Sequence, residues 1–130
     1  MAQKEVIDAL GLTKLVYNMN ILSQNAALAA MDYADEILAH NIPPTLAARQ
    51  HFMDALKDVP NLTVYPSATN FVLVRVPDGP AMVKALHDAD ICVRSYKAAD
   101  LKNCLRITIT TDDVVRRVVA VMTEEAKKYA

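Results

Sequence analysis

Two short stretches of this chain carry residues able to do chemistry, Cys92-Val93-Arg94 and Cys104-Leu105-Arg106. Each sets a thiol and a guanidinium two positions apart, which on a strand places both on one face. A guanidinium is planar and permanently charged, and its fork of donors matches a carboxylate or a phosphate. If the two strands are neighbours, Arg94 and Arg106 can converge on one anion. The competing reading is ordinary: charge on the wet face of a strand, paired with Asp or Glu. The thiols read as buried small hydrophobes rather than nucleophiles.

Other candidates are weaker. His40, His51 and His87 fall on helical stretches without a Cys or acidic partner at ligand spacing. They read as solvated, and no metal site is expected. Asp112-Asp113 suits the start of a helix, where carboxylates meet the positive end of the dipole, better than a catalytic pair. Lys97 and Lys102 read as solvated. No nucleophile, base and orienting group share a pattern, so no catalytic residue is assigned. Gly11 and Gly79 are the only 2 glycines. Standing alone, they exclude a glycine-rich phosphate loop or a dinucleotide fingerprint from this stretch.

The element that must position Arg106 is the strand from Asn103 to Thr110. A period of two sends Leu105, Ile107 and Ile109 to a core face, and Cys104, Arg106, Thr108 and Thr110 to the other. Earlier in the chain, Lys4 to Leu10 has helical spacing and Gly11 is a plausible stop. Asn18 to about His40 reads as one long helix, with Ile21, Leu22, Leu28, Met31, Ile37 and Leu38 on a loose apolar face. Pro43-Pro44 should end it or separate it from a helix running from Thr45, a possible cap, to about Asp58. Strands are expected at 62–65, 70–76 and 91–96, with a turn at 77–80, a helix at 81–88 and a polar loop at 97–102. A valine-rich helix capped by Thr111 or Asp112 closes the chain. This order predicts an α/β (α+β sandwich) fold: a small, mostly antiparallel sheet with helices packed on one face, preceded by a long helix. A ferredoxin-like arrangement is the alternative.

The chain has 130 residues, 53% apolar and 22% charged, which describes one ordinary globular domain. A net charge of -1 gives no electrostatic reason to expect nucleic acid or an anionic membrane. No apolar run is long enough for a membrane span, and Met-Ala-Gln-Lys-Glu lacks the apolar core of a signal peptide. The 2 cysteines, without metal-type spacing, fit a reducing cytoplasm.

Five stretches in chain order resemble the C-terminal part of the histidinol-phosphate aminotransferase family, fold-type I pyridoxal-phosphate enzymes. They are Lys4-Glu5-Val6-Ile7-Asp8-Ala9-Leu10, Tyr17-Asn18-Met19-Asn20, Tyr65-Pro66-Ser67-Ala68-Thr69-Asn70-Phe71, Ile91-Cys92-Val93-Arg94 and Asn103-Cys104-Leu105-Arg106-Ile107-Thr108. The resemblance implies amino transfer between histidinol phosphate and 2-oxoglutarate, a step of histidine biosynthesis. It implies Arg106 as the clamp on the substrate's anionic end and Arg94 as a second arginine on its phosphate. Asn70, Tyr17 and Asn18 match structural positions near the site. Val16 stands where the family typically has a proline.

The family's cofactor lysine, the aspartate under the pyridine ring and the phosphate loop belong to a large domain that would precede Met1. Lys4 and Lys14 do not match the lysine's motif. Residues 1–42 are then expected to be interdomain helices built to pack on that large domain, and 43–130 the small C-terminal domain. The expectation is a chain without covalently bound pyridoxal phosphate and inactive alone, with a large-domain chain or a second copy as partner. A non-catalytic anion-binding or regulatory module, and a dimerisation unit or gene remnant, are the other readings.

Overall fold

The computed structural model describes residues 2–15 and 19–130, and the chain divides into two compact units, 1–38 and 39–130. Tyr17 and Asn18 lie outside the described residues. The first unit holds helix α1, Lys4–Thr13, and helix α2, Ile21–Asp32. Asn20 caps α2 by accepting a hydrogen bond from the Ser23 N–H at 2.8 Å. Neither helix buries a single residue.

The long helix expected from Asn18 to His40 is broken at Tyr33, whose N–H turns back to the Met31 carbonyl. Helix α3 then runs from Ala34 to Leu56, straight through Pro43 and Pro44. The prolines therefore do not end it. They remove two donors, but residues 39–44 are all exposed, so the carbonyls left without partners reach water. Thr45 is not a cap. It sits inside the helix and its hydroxyl donates to the Asn41 carbonyl at 2.7 Å. Beyond the prolines, burial of Ala48, Phe52 and Leu56 anchors the helix.

The second unit is built on four strands: β1 Thr63–Val64, β2 Phe71–Arg75, β3 Arg94–Ser95 and β4 Cys104–Thr108. Their order in the sheet is β1-β2-β4-β3, every neighbouring pair antiparallel. Helix α4, Gly79–Asp88, carries the chain from β2 to β3, and β4 then inserts between them. This insertion is a split β-α-β arrangement, the element on which the ferredoxin-like alternative rests, and it makes the strand bearing Arg106 central. The strand expected at 91–96 is reduced to two residues on the sheet's edge.

One face of the sheet carries the core. Val72, Val74, Leu105 and Ile107 meet Phe52 and Leu56 of α3, Met82 and Leu86 of α4, and Val115, Val118 and Met122 of helix α5, Asp112–Lys127. Phe52 and Leu56 are fully buried, and burial on that scale stabilises by roughly 2–3 kcal/mol for each large apolar side chain. The described helices of this unit thus lie on one side of the sheet, as the alternation of β4 predicts.

Gly79 explains how β4 keeps its place. Its N–H donates to the Asn103 side chain at 3.2 Å, and the Asn103 amide donates to the Pro77 carbonyl at 3.1 Å. A Cβ on Gly79 would lie 2.3 Å from the Lys102 carbonyl oxygen, so only glycine allows this approach. Asp78 caps α4 through the Ala81 N–H at 3.0 Å. The turn after β2 is thereby latched to Asn103, the residue just before β4.

Candidate functional site

The other face of the sheet is where the arginines lie. Register pairs Phe71 with Thr108, Leu73 with Arg106, and Arg75 with Cys104. It also pairs Arg94 directly with Arg106. Side chains directly opposite on an antiparallel pair start about 5 Å apart at Cβ, and like charges there repel. Both arginines are exposed. Among the described residues, no ion pair to a carboxylate includes either one. The pairing with Asp or Glu that the ordinary reading requires is absent from these residues. The Arg106 guanidinium instead lies over the Phe71 ring, 5.0 Å from its centre, a cation–π contact.

A third arginine, Arg75, shares this face and escaped the sequence reading. Its Nε donates to the Tyr65 hydroxyl at 3.2 Å and its Nη2 to the Asp100 carbonyl at 3.3 Å. The Tyr65 hydrogen bond, with the Cys104 sulfur nearby, raises its pKa above the ordinary arginine value. Arg75 is therefore tied to the protein at two donors, whereas Arg94 and Arg106 are exposed and Arg106 rests on the Phe71 ring. Parity along β2 would have found Arg75 once the register with β4 was known.

The remaining candidates sort differently. Cys104 is fully buried, while Cys92 is exposed. The thiol reading thus holds for the first and not for the second. Asn70 lines a cleft of about 290 Å³ with Ile42, Leu46, Arg49 and Thr69, and its carbonyl accepts the Ile109 N–H at 2.8 Å. Arg49 Nη1 donates to the Thr69 carbonyl at 2.8 Å. His51, expected to be solvated without an acidic partner, has its Nδ1 2.5 Å from Asp112 Oδ1. Asp112 also accepts from Arg116 Nε at 2.7 Å. The His51 and Arg116 bonds, in that order, hold the Asp112 carboxyl below the usual carboxylate range. Thr111 occupies the position before α5 but its side chain makes no capping bond to the backbone. Among the described residues no group of three or more His, Cys, Asp or Glu side chains gathers.

Every lysine among the described residues is exposed. Lys4, Lys84, Lys127 and Lys128 bond to Asp8, Asp88, Glu124 and Glu125 of their own turns. None is sunk in a cleft beside an acid that could face a pyridine nitrogen. These residues do not fit a pyridoxal-phosphate cradle, and no chemical step through that cofactor is assigned to them. No described helix is long and apolar enough to cross a membrane.

The mix of helices and a small antiparallel four-stranded sheet matches an α/β aminotransferase domain. Residues 1–122 match the family Aminotransferase class I and II, and the chain belongs to it. A histidinol-phosphate aminotransferase of Ruminiclostridium cellulolyticum is 33% identical over 114 residues, covering 87% of this chain and 32% of that protein. A structure from Erwinia carotovora atroseptica, assigned as a histidinol-phosphate aminotransferase, superposes with a TM-score of 0.82 at 27% identity. That match covers 99% of this chain and 37% of the other. A histidinol-phosphate aminotransferase from Sinorhizobium meliloti, solved in complex with pyridoxal-5'-phosphate, matches at 31% identity and a TM-score of 0.62, over 81% of this chain and 28% of the other. The chain spans about a third of the length of the curated relatives it matches.

Proposed function

We propose that this chain supplies the anion-gripping wall of a pyridoxal-phosphate aminotransferase that moves an amino group between histidinol phosphate and 2-oxoglutarate in the cytoplasm. Arg106 and Arg94 hold the phosphate, and Asn70, Tyr17 and Asn18 support the site. One observation carries this reading: two exposed arginines are direct register partners on β3 and β4, with no carboxylate ion-paired to either among the described residues. A phosphate dianion is the ligand that turns this repulsion into two charge-assisted, forked contacts. The cofactor chemistry belongs to the part of the fold outside these 130 residues. The remainder of the fold, on a large-domain chain or a second copy, completes the enzyme, and these residues alone do not transaminate.

A second reading, a non-catalytic anion-binding module, is favoured by the exposure of every described lysine. Titration with histidinol phosphate, inorganic phosphate and pyridoxal phosphate separates the two, with Arg106→Ala as control. Losing a charged hydrogen-bonding partner costs about 1.5–3 kcal/mol, so Arg106→Ala should weaken phosphate-ester binding by roughly 10–100-fold. Preference for histidinol phosphate over inorganic phosphate supports the aminotransferase reading, and equal affinity for both supports the module. Unchanged affinity in the variant eliminates the clamp. An absorbance band from a lysine-bound cofactor would overturn the assignment of the cofactor chemistry to other residues.

A further inference from the structure

We infer that Arg49 is a positioning residue for Arg106, acting through the turn at 67–71 and the Phe71 ring. The inference rests on the reading of Arg106 as an anion ligand.

Arg49 follows the buried Ala48 on α3 and lies one turn before the buried Phe52, so its stem stands on a helix fixed into the core. Its guanidinium donates to the Thr69 carbonyl, 20 residues away in sequence, at 2.8 Å. The turn it reaches is closed upon itself. Ser67 Oγ donates to the Phe71 carbonyl at 2.5 Å and Thr69 Oγ1 to the same oxygen at 3.1 Å. The Thr69 N–H donates to Ser67 Oγ at 3.1 Å, and the Phe71 N–H to Thr69 Oγ1 at 3.3 Å.

All four of these bonds lie within five consecutive residues. They keep the turn's shape but would survive its swinging as a body. What sets its position is the β4 side, where Phe71 enters the ladder opposite Thr108 and the Ile109 N–H donates to the Asn70 carbonyl at 2.8 Å, and Arg49 on the helix side, which holds the turn's outer residues. The turn delivers Phe71 onto the open face, where its ring lies 5.0 Å from the Arg106 guanidinium. With no carboxylate ion-paired to Arg106 among the described residues, that ring fixes the plane of the fork. A long side chain otherwise samples many rotamers in water, and each must be given up when an anion binds. Arg49 thus preorganises Arg106 without touching the ligand.

The test reads the geometry and the binding separately in the full chain. The Phe71 ring current shifts the NMR signals of the Arg106 δ-methylene upfield, and Phe71→Leu supplies the unshifted reference. Arg49→Met should lose most of that displacement and weaken inorganic phosphate binding by about fivefold. Arg49→Lys, which keeps a donor for the Thr69 carbonyl, should restore both. Arg49→Gln, polar but shorter, should repeat the loss and carries the test if Arg49→Met does not fold. An Arg106 signal at its wild-type position in Arg49→Met or Arg49→Gln overturns the inference, whatever happens to stability. Absence of phosphate binding by the wild type would instead defeat the clamp, and the methylene shift would still decide whether Arg49 positions Arg106.

Discussion

Arg94 and Arg106 occupy directly paired positions on neighbouring strands, an arrangement that sets two like charges on adjacent side chains. At the residue scale this predicts a conflict between stability and binding. Arg94→Thr should raise stability by about 0.5 kcal/mol through relief of the like-charge pair, as read from a urea midpoint, while weakening phosphate binding. Destabilisation with unchanged binding would mean that Arg94 is a structural residue. Asp112 gives a second residue-scale prediction. Its folded pKa lies below the unfolded value because His51 and Arg116 bond to the charged form. The stability it contributes is therefore fully present above the unfolded value, near pH 3.9, and is lost as pH falls through the folded one. Stability measured against pH should decline in that acid window for the wild type, and Asp112→Asn should flatten the decline. The His51–Asp112 contact was invisible in the sequence because it joins residues 61 apart on two helices. By contrast, the shared face of Cys104 and Arg106 within β4 was legible from a period of two, whereas placing Arg94 beside Arg106 needed the register of β3 with β4.

At the element scale, β4 was the most readable part of the chain. Alternation separated Leu105 and Ile107, both buried, from Arg106 and Thr108, both exposed. Cys104 broke the pattern because it pairs with Arg75 where Tyr65 and the 99–101 turn also gather. The helices were harder. Proline normally ends a helix, but α3 continues where its orphaned carbonyls face water and its later turns are held in the core. No glycine or proline marked the break at Tyr33. The latch between α4 and β4 depends on Gly79, and Gly79→Ala pushes a methyl into the Lys102 carbonyl. We expect a loss of about 1–3 kcal/mol by chemical denaturation. A variant as stable as the wild type would show that the turn relaxes freely and that Asn103 is not held by it.

At the scale of the whole molecule, the two units differ in kind. Residues 39–130 enclose a core, whereas α1 and α2 bury nothing and leave Leu12 90% and Leu22 78% exposed. Apolar surface of this extent invites a covering partner. Sedimentation should therefore show association that grows with concentration, and an apolar dye should bind. A compact monomer with no dye binding would contradict this. The fold class was legible because the core obeys local periodicities. The candidate site's surroundings were legible only in part, because Phe71 and Arg75 reach the face of Arg106 through register and Arg49 reaches the turn before Phe71 through a tertiary contact.

The most direct test of the central claim is a double-mutant cycle for histidinol phosphate binding by calorimetry, using wild type, Arg94→Ala, Arg106→Ala and the double variant. If the two guanidiniums grip one phosphate, each single change should cost about tenfold in affinity and the double variant little more. Affinity unchanged in either single variant, or losses that simply add, would contradict a shared clamp.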